Sequence, residues 1–364
     1  MSFATIYRIY NTSMTFPIST HLFYLLKEFR KHPSDSWVSA TVVSKQRSSY
    51  RLPGAMMLVN PDGLNLGLVS GGCLEADIRL QACKVLSYNE ARCIIYDSMD
   101  EDNIAAELGL GCNGRVEVLV QKLEAAHQEI LYELYNRMEA GKNSYLLHCL
   151  GSETPAEMNA LVLLDEYGAV IANTSQVEVP SIDADMLNHS HQLLVDRKRR
   201  WSMSLYRPPI NLWIFGGGVD ARPMVSLAAS LGWRVTLVDH RTAYAREKDF
   251  HHAETILRQK PEDFDGAINA DAALLMTHNL NLDASWLSRL NDIGSLRYVG
   301  ILGPVDRKQE AIEIAGIKDS SGLLGILHGP MGFDIGGDIP ESIALSTLAQ
   351  CHQILFGNER RRQP

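Results

Sequence analysis

The segment Ser70-Gly71-Gly72-Cys73-Leu74-Glu75-Ala76-Asp77-Ile78 sets a thiol behind two glycines and just ahead of an apolar, helix-like run. Unpaired N–H groups and the dipole at a helix start favour a thiolate, whereas nearby carboxylates such as Glu75 and Asp77 oppose one. A second thiol has a similar setting in Gly109-Leu110-Gly111-Cys112-Asn113-Gly114. Each of Cys73 and Cys112 therefore has two readings, a reactive sulfur or a small side chain packed under a turn, and the residues alone leave both open. Cys83, Cys93 and Cys149 lie among apolar residues and read as core, while Cys351 falls on the last predicted helix. None of the six cysteines forms a C-x-x-C pair, so no iron–sulfur or zinc-ribbon spacing is present and no metal site is expected.

A different chemistry is suggested further along. Gly216, Gly218 and Ala221 fit G-x-G-x-x-G/A between a predicted strand and a helix, and Asp239 closes the next strand. Gly216 permits the tight turn, Gly218 lets a pyrophosphate approach the backbone, and Asp239 could accept hydrogen bonds from ribose hydroxyls. The competing reading is a tight strand–helix turn with no ligand. Asp220 favours that alternative, because its charge at the start of the helix would repel a pyrophosphate, with Arg222 as an offsetting cation. Thr277-His278-Asn279 and the stretch from Gly300 to Arg307 should also lie at strand ends, where ligands bind. His278 either faces that crevice or bonds a loop carbonyl. Gly332, Gly336 and Gly337 suggest a tight loop before a helix that Asp338 and Glu341 would cap as a box, with Pro340 in its first turn.

The elements that must position these groups follow from hydrophobic periodicity. A helix is expected over 18–31, strands over 37–43 and within 54–72, a helix over 74–86 and a strand over 91–98. A β-like segment follows the second glycine loop, then a helix over 123–139 and strands over 144–150 and 160–173. The polar stretch from about 174 to 210 carries Arg197-Lys198-Arg199-Arg200 and Pro208-Pro209, and we place the boundary there. Domains are thus expected at 1–195 and 211–364, joined by a linker over 196–210. From 211 onward strands and helices alternate, which predicts a Rossmann-like doubly wound parallel sheet behind an N-terminal mixed α+β domain; the fold class is α/β.

With 364 residues there is room for two cores. A net charge of −9 argues against nucleic acid or an anionic membrane as partner. Arg360-Arg361-Arg362 reads as a frayed tail. No signal-like N-terminus and no run of membrane-spanning length occurs, so a cytoplasmic location is the expectation.

The segments "LPGAMMLV" (52–59), "GLVSGGCLEADI" (67–78), "GLGCNGRVEVLV" (109–120), "FGGGVDARPMVSLAASLGWRVTLVDHR" (215–241), "MTHN" (276–279), "YVGILGP" with Arg307, and "HGPMGFDIGGDIPESIALSTLA" (328–349) resemble the XdhC/CoxI family in order and over most of the chain. Two departures stand out. Val219-Asp220-Ala221 replaces the histidine-containing G-x-G-H-V-A of many relatives, and Cys112-Asn113-Gly114 replaces C-G-G. The resemblance implies a maturation factor that binds molybdenum cofactor, protects it during sulfuration and hands it to an apo xanthine dehydrogenase-type hydroxylase. It also implies a cysteine desulfurase as a second partner and a homodimer. Carried onto this chain, Cys73 holds the cofactor or its sulfur, Cys112 is the second thiol, and Glu75 positions or shuttles a proton. Gly71, Gly72, Gly111 and Gly114 bring backbone donors to the anionic pterin. In the second domain the fingerprint and the strand ends leave Gly216, Gly218, Asp239, His278 and Arg307 as the cofactor-binding candidates. The alternative function is an NAD(P)-dependent oxidoreductase using that domain. A third reading, xanthine dehydrogenase itself, fits poorly, since the chain is short and lacks iron–sulfur cysteines.

Overall fold

The structure, a computed structural model, describes residues 19–33, 36–47, 49–98, 100, 114–151, 157–175 and 177–357. The chain divides into two compact units, Met1–Pro208 and Pro209–Pro364.

In the first unit, helix α1 (Leu22–Phe29) precedes the long strand β1 (Trp37–Arg47), then β2 (Met56–Val59), β3 (Asn65–Gly67), helix α2 (Glu75–Tyr88), β4 (Arg92–Asp97) and β5 (Gly114–Leu123). These strands form an antiparallel sheet in the order β3-β2-β1-β5-β4. Helix α3 (Ala125–Glu139) leads into a second antiparallel sheet. That sheet joins β6 (Ser144–Gly151), β7 (Leu161–Leu164), β8 (Val170–Asn173), β9 (His191–Asp196) and β10 (Arg199–Tyr206) in the order β8-β7-β6-β10-β9.

The side-chain period of two sorts β1 between neighbours. Val38, Ala40 and Val42 pack with Ile78, Ala82 and Val85 of α2. The intervening Ser39 and Thr41 are also buried, and the two sheets meet in a partly polar seam. In that seam the Ser202 hydroxyl donates to the Val43 carbonyl (2.9 Å), and His148 Nδ1 lies 3.3 Å from Gln121 Oε1.

Residues 199–206, expected in a linker, are instead the strand β10, which lies between β6 and β9 in this second sheet. Their apolar residues, Trp201 and Met203, alternate with serines that are buried at the seam, so they read as polar chain. Of the basic cluster, Arg197 and Lys198 form the hairpin turn between β9 and β10, and Arg199 and Arg200 begin β10. Arg197 there takes a left-handed backbone and pairs with Glu178, and Arg200 pairs with Glu117 at 2.8 Å.

The second unit holds β11 (Asn211–Phe215), α4 (Ala221–Ser230), β12 (Arg234–Val238), β13 (Thr255–Leu257), β14 (Ala272–Leu275), α5 (Leu280–Leu290), β15 (Tyr298–Ile301), α6 (Val305–Ala315), β16 (Leu327–His328) and α7 (Pro340–Phe356). Its sheet is parallel throughout, ordered β13-β12-β11-β14-β15-β16. That is the third-second-first-fourth-fifth-sixth order of a dinucleotide-type doubly wound fold, as the alternation predicted. Both faces are covered, which explains the unbroken apolar strands. Leu212 and Ile214 share a core with Ala221, Val225 and Leu348 of α4 and α7, whereas Trp213 and Phe215 pack with Trp286, Leu290 and Ala311 of α5 and α6. Pro340 takes the first turn of α7 as expected, but the capping box does not form. The N-cap is Ile339, and no side chain bonds it.

Candidate functional site

The Cys73 turn is built inward from one serine and one buried carboxylate. Glu75, the first residue of α2, is fully buried. Its carboxylate accepts from the Ser70 N–H (2.8 Å), the Val69 N–H (3.3 Å) and the Ser70 hydroxyl (2.5 Å). The same serine oxygen accepts from the Gly72 and Leu74 N–H groups, each at 3.1 Å. These bonds draw the chain into a loop that Gly72 closes at φ +113°, a conformation that side chains rarely adopt. With Ser70 and Leu74 buried on either side of the exposed glycines, Cys73 is exposed, just ahead of the helix cap Leu74. The Gly71 and Cys73 N–H groups have no partner among the described residues.

A small pocket opens beside the thiol, lined in part by Ser49, Tyr50, Gly71, Tyr96 and Gly114. The Tyr50 ring lies so close to Gly71 that a Cβ there would touch it at 3.6 Å. Tyr96 donates to the buried Asp77 at 2.6 Å, and burial followed by this bond pushes its phenol well above the ordinary range. Burial draws the neighbouring Arg51 below its usual range, with Tyr50 and Glu75 acting in the opposite direction.

Gly114 takes part in the pocket wall, while its N–H donates to the Ser98 hydroxyl at 3.0 Å. The Gly72 and Gly114 donors, expected to face a cofactor, are thus spent within the fold, and Gly71 is the expected glycine that keeps its donor. Cys112 and Gly111 lie outside the described residues. Cys83 and Cys93 are partly buried, with thiols raised by burial, and Cys149 and Cys351 are buried. Sequence reasoning missed Ser70 as the hub of the loop and Tyr50 as its wall. The signal for Ser70 was a hydroxyl five residues ahead of a buried acid.

In the second unit, the glycine turn follows β11 where the strand order reverses, beside the end of β14. Gly216 at φ +119° sits so close to that strand that a Cβ would lie 2.2 Å from the Met276 carbonyl oxygen. Asp239 is buried and fully engaged. It accepts from the Gly217 N–H (2.7 Å), the Arg241 N–H (2.9 Å) and the Arg241 guanidinium (3.0 and 2.7 Å). Burial opposes its ionisation, but the hydrogen bonds from Arg241 and Gly217 outweigh that and hold the carboxyl below the usual range.

His278 faces the crevice rather than a loop carbonyl. On one side of it, Thr277 donates through its N–H (3.2 Å) and hydroxyl (2.7 Å) to the buried Asp283. On the other, Asn279 caps α5 through the Leu282 N–H. Held between them, His278 takes a left-handed φ of +57°, and its Nε2 meets Asp220 Oδ2 at 2.8 Å. Arg307 pairs with Asp283 at 2.5 Å, so its guanidinium braces the strand end. The partners missed from sequence are Arg241 and Asp283, each invisible until the fold closes.

Among the described residues no group of three or more His, Cys, Asp or Glu could hold a metal ion, and no helix is long and apolar enough to cross a membrane.

Residues 212–351 match the family described as "XdhC Rossmann domain", and residues 32–97 match "XdhC and CoxI family". A probable xanthine dehydrogenase subunit of Bacillus subtilis (strain 168) is 28% identical over 319 residues, 87% of this chain and 92% of that protein. "Molybdenum cofactor insertion chaperone PaoD" of Escherichia coli (strain K12) is 24% identical over 327 residues, 88% of this chain and 84% of its own length. A crystal structure described as a xanthine dehydrogenase from Bacillus halodurans is 28% identical and superposes with a TM-score of 0.77, covering 94% of this chain and 98% of that one.

Proposed function

We propose, from the matches of residues 32–97 and 212–351 to the XdhC and CoxI and XdhC Rossmann families, that the chain binds molybdenum cofactor at the Cys73 turn, shields it during sulfuration and delivers it to a xanthine dehydrogenase-type apo-enzyme. The cofactor is cargo here, and its chemistry is carried out in the client enzyme. One observation carries this reading: an internally braced loop leaves, at the mouth of a pocket, an exposed thiol and two N–H groups that have no partner among the described residues.

That donor set suits the cargo. A thiolate is a soft ligand for molybdenum or a carrier for persulfide sulfur. The N–H groups of Gly71 and Cys73 suit an anionic phosphate or dithiolene, and the Tyr50 ring offers an apolar face to a flat heterocycle. Glu75 acts through Ser70, holding the turn in shape rather than moving a proton. Cys112 is proposed as the second sulfur; it stands two residues before Gly114, which lines the same pocket. A cysteine desulfurase and a second copy of the chain complete the proposed partners, in the cytoplasm.

The test is metal analysis and pterin fluorescence on protein purified from a molybdenum-replete host. Cys73→Ala should lower bound molybdenum and pterin by about tenfold, the scale of losing a strong ligand, while Cys83→Ala should retain both. Equal loading of the Cys73→Ala variant would remove the site.

A further inference from the structure

The second unit has the strand order and glycine turn of a dinucleotide-binding fold, yet both of the handles by which such folds hold a dinucleotide are occupied by the chain itself. The first handle is the turn and the start of α4, where N–H groups and the helix dipole ordinarily receive a pyrophosphate. Here the Asp220 carboxylate lies over Gly218, its Oδ1 only 2.3 Å from where a Cβ would stand. Although Asp220 is the N-cap residue of α4, its side chain makes no cap bond there. Instead Oδ2 is held at 2.8 Å by His278, whose backbone takes a left-handed conformation rare for a side-chain-bearing residue. Arg222, the cation placed to neutralise it in sequence, pairs with Asp249 at 3.0 Å. The second handle is the acid at the end of the second strand, which ordinarily takes ribose hydroxyls. Asp239 is closed by four hydrogen bonds from Gly217 and Arg241.

We propose that Asp220, braced by His278, is a specificity-determining residue that bars diphosphates from this crevice and reserves it for an uncharged or cationic ligand group. A phosphate entering the turn would meet a carboxylate in the space it must fill, and like charges in a half-buried site repel strongly. The helix start would still attract it, so the balance is set by one charge. The inference is independent of the Cys73 reading, because it concerns a different unit and a different ligand.

Asp220→Asn removes the charge while keeping the shape and the acceptor for His278, and ADP is the probe. Calorimetric titration of the full chain should give ADP binding that is about tenfold or more tighter to Asp220→Asn than to the parent, and the gain should shrink as salt screens the phosphate. Adding Arg241→Ala, which frees Asp239, should tighten ADP binding further. Thermal unfolding checks that each variant is folded, and Asp220→Ala serves if the asparagine variant is not. Tight ADP binding by the parent chain, or variants that bind ADP no better than the parent, would overturn the proposal.

Discussion

Glu75 has no water to turn to, and its three donors come from two consecutive residues of one loop. Replacing it with alanine strands the Val69 and Ser70 N–H groups in the interior. An unsatisfied buried donor costs about 1–3 kcal/mol, so Glu75→Ala should lose roughly 2–4 kcal/mol of stability in urea titrations. Glu75→Gln, which keeps one carbonyl acceptor, should lose less. If both variants unfold like the parent, the loop does not depend on this carboxylate. The residue types at this turn were legible in advance, because two glycines, a thiol and an acid in nine positions have few ordinary uses. Which of them faces solvent was not. That was decided by Ser70, whose hydroxyl gathers two N–H groups and turns Cys73 outward.

At the scale of elements, the seam between the two sheets of the first unit carries a pH dependence. His148 on β6 faces Gln121 on β5, and its Nε2 has no partner among the described residues. Burial, followed by the nearby His127, lowers its pKa to about 3. The folded state therefore keeps this ring neutral while the unfolded chain takes a proton below the ordinary value of 6.5. Its contribution is fully present above pH 6.5, is lost as the pH falls from there towards about 3, and levels off below that. Within this window one such group costs about 1.4 kcal/mol per pH unit. His148→Gln, which keeps a polar partner for Gln121, should flatten the acid limb of stability against pH by about that slope. An unchanged limb would show that His148 is hydrated or already charged. The seam also explains why β10 reads as a linker: its serines are buried against a second sheet, so their alternation with apolar residues carries no sign of a core.

At the scale of the molecule, each unit closes its own cores, and the division falls at Pro208–Pro209, after the last strand of the first unit and before the first strand of the second. A unit with its own sheet and both faces covered is expected to fold alone. Residues 209–364 expressed by themselves should therefore unfold in one cooperative transition, seen by circular dichroism against temperature. A fragment without such a transition would show that the first unit is needed to complete it. The Bacillus subtilis and Escherichia coli relatives match this chain over most of their own length.

Local patterning was enough for the second unit, because parallel strands buried on both faces leave continuous apolar runs and their helices leave a clear period. It also marked Cys73, Gly216, Gly218 and Asp239 as candidates for chemistry. What those residues do depends on partners far away in the chain. His278 reaches Asp220 across 58 positions, and Tyr96 reaches Asp77 across 19. Arg241, only two positions from Asp239, closes on it because the turn after β12 folds back. Side-chain type and spacing fix which groups are available, whereas the occupancy of each hydrogen-bonding group is a property of the closed fold, since burial forces every donor and acceptor to find a partner wherever the topology brings one.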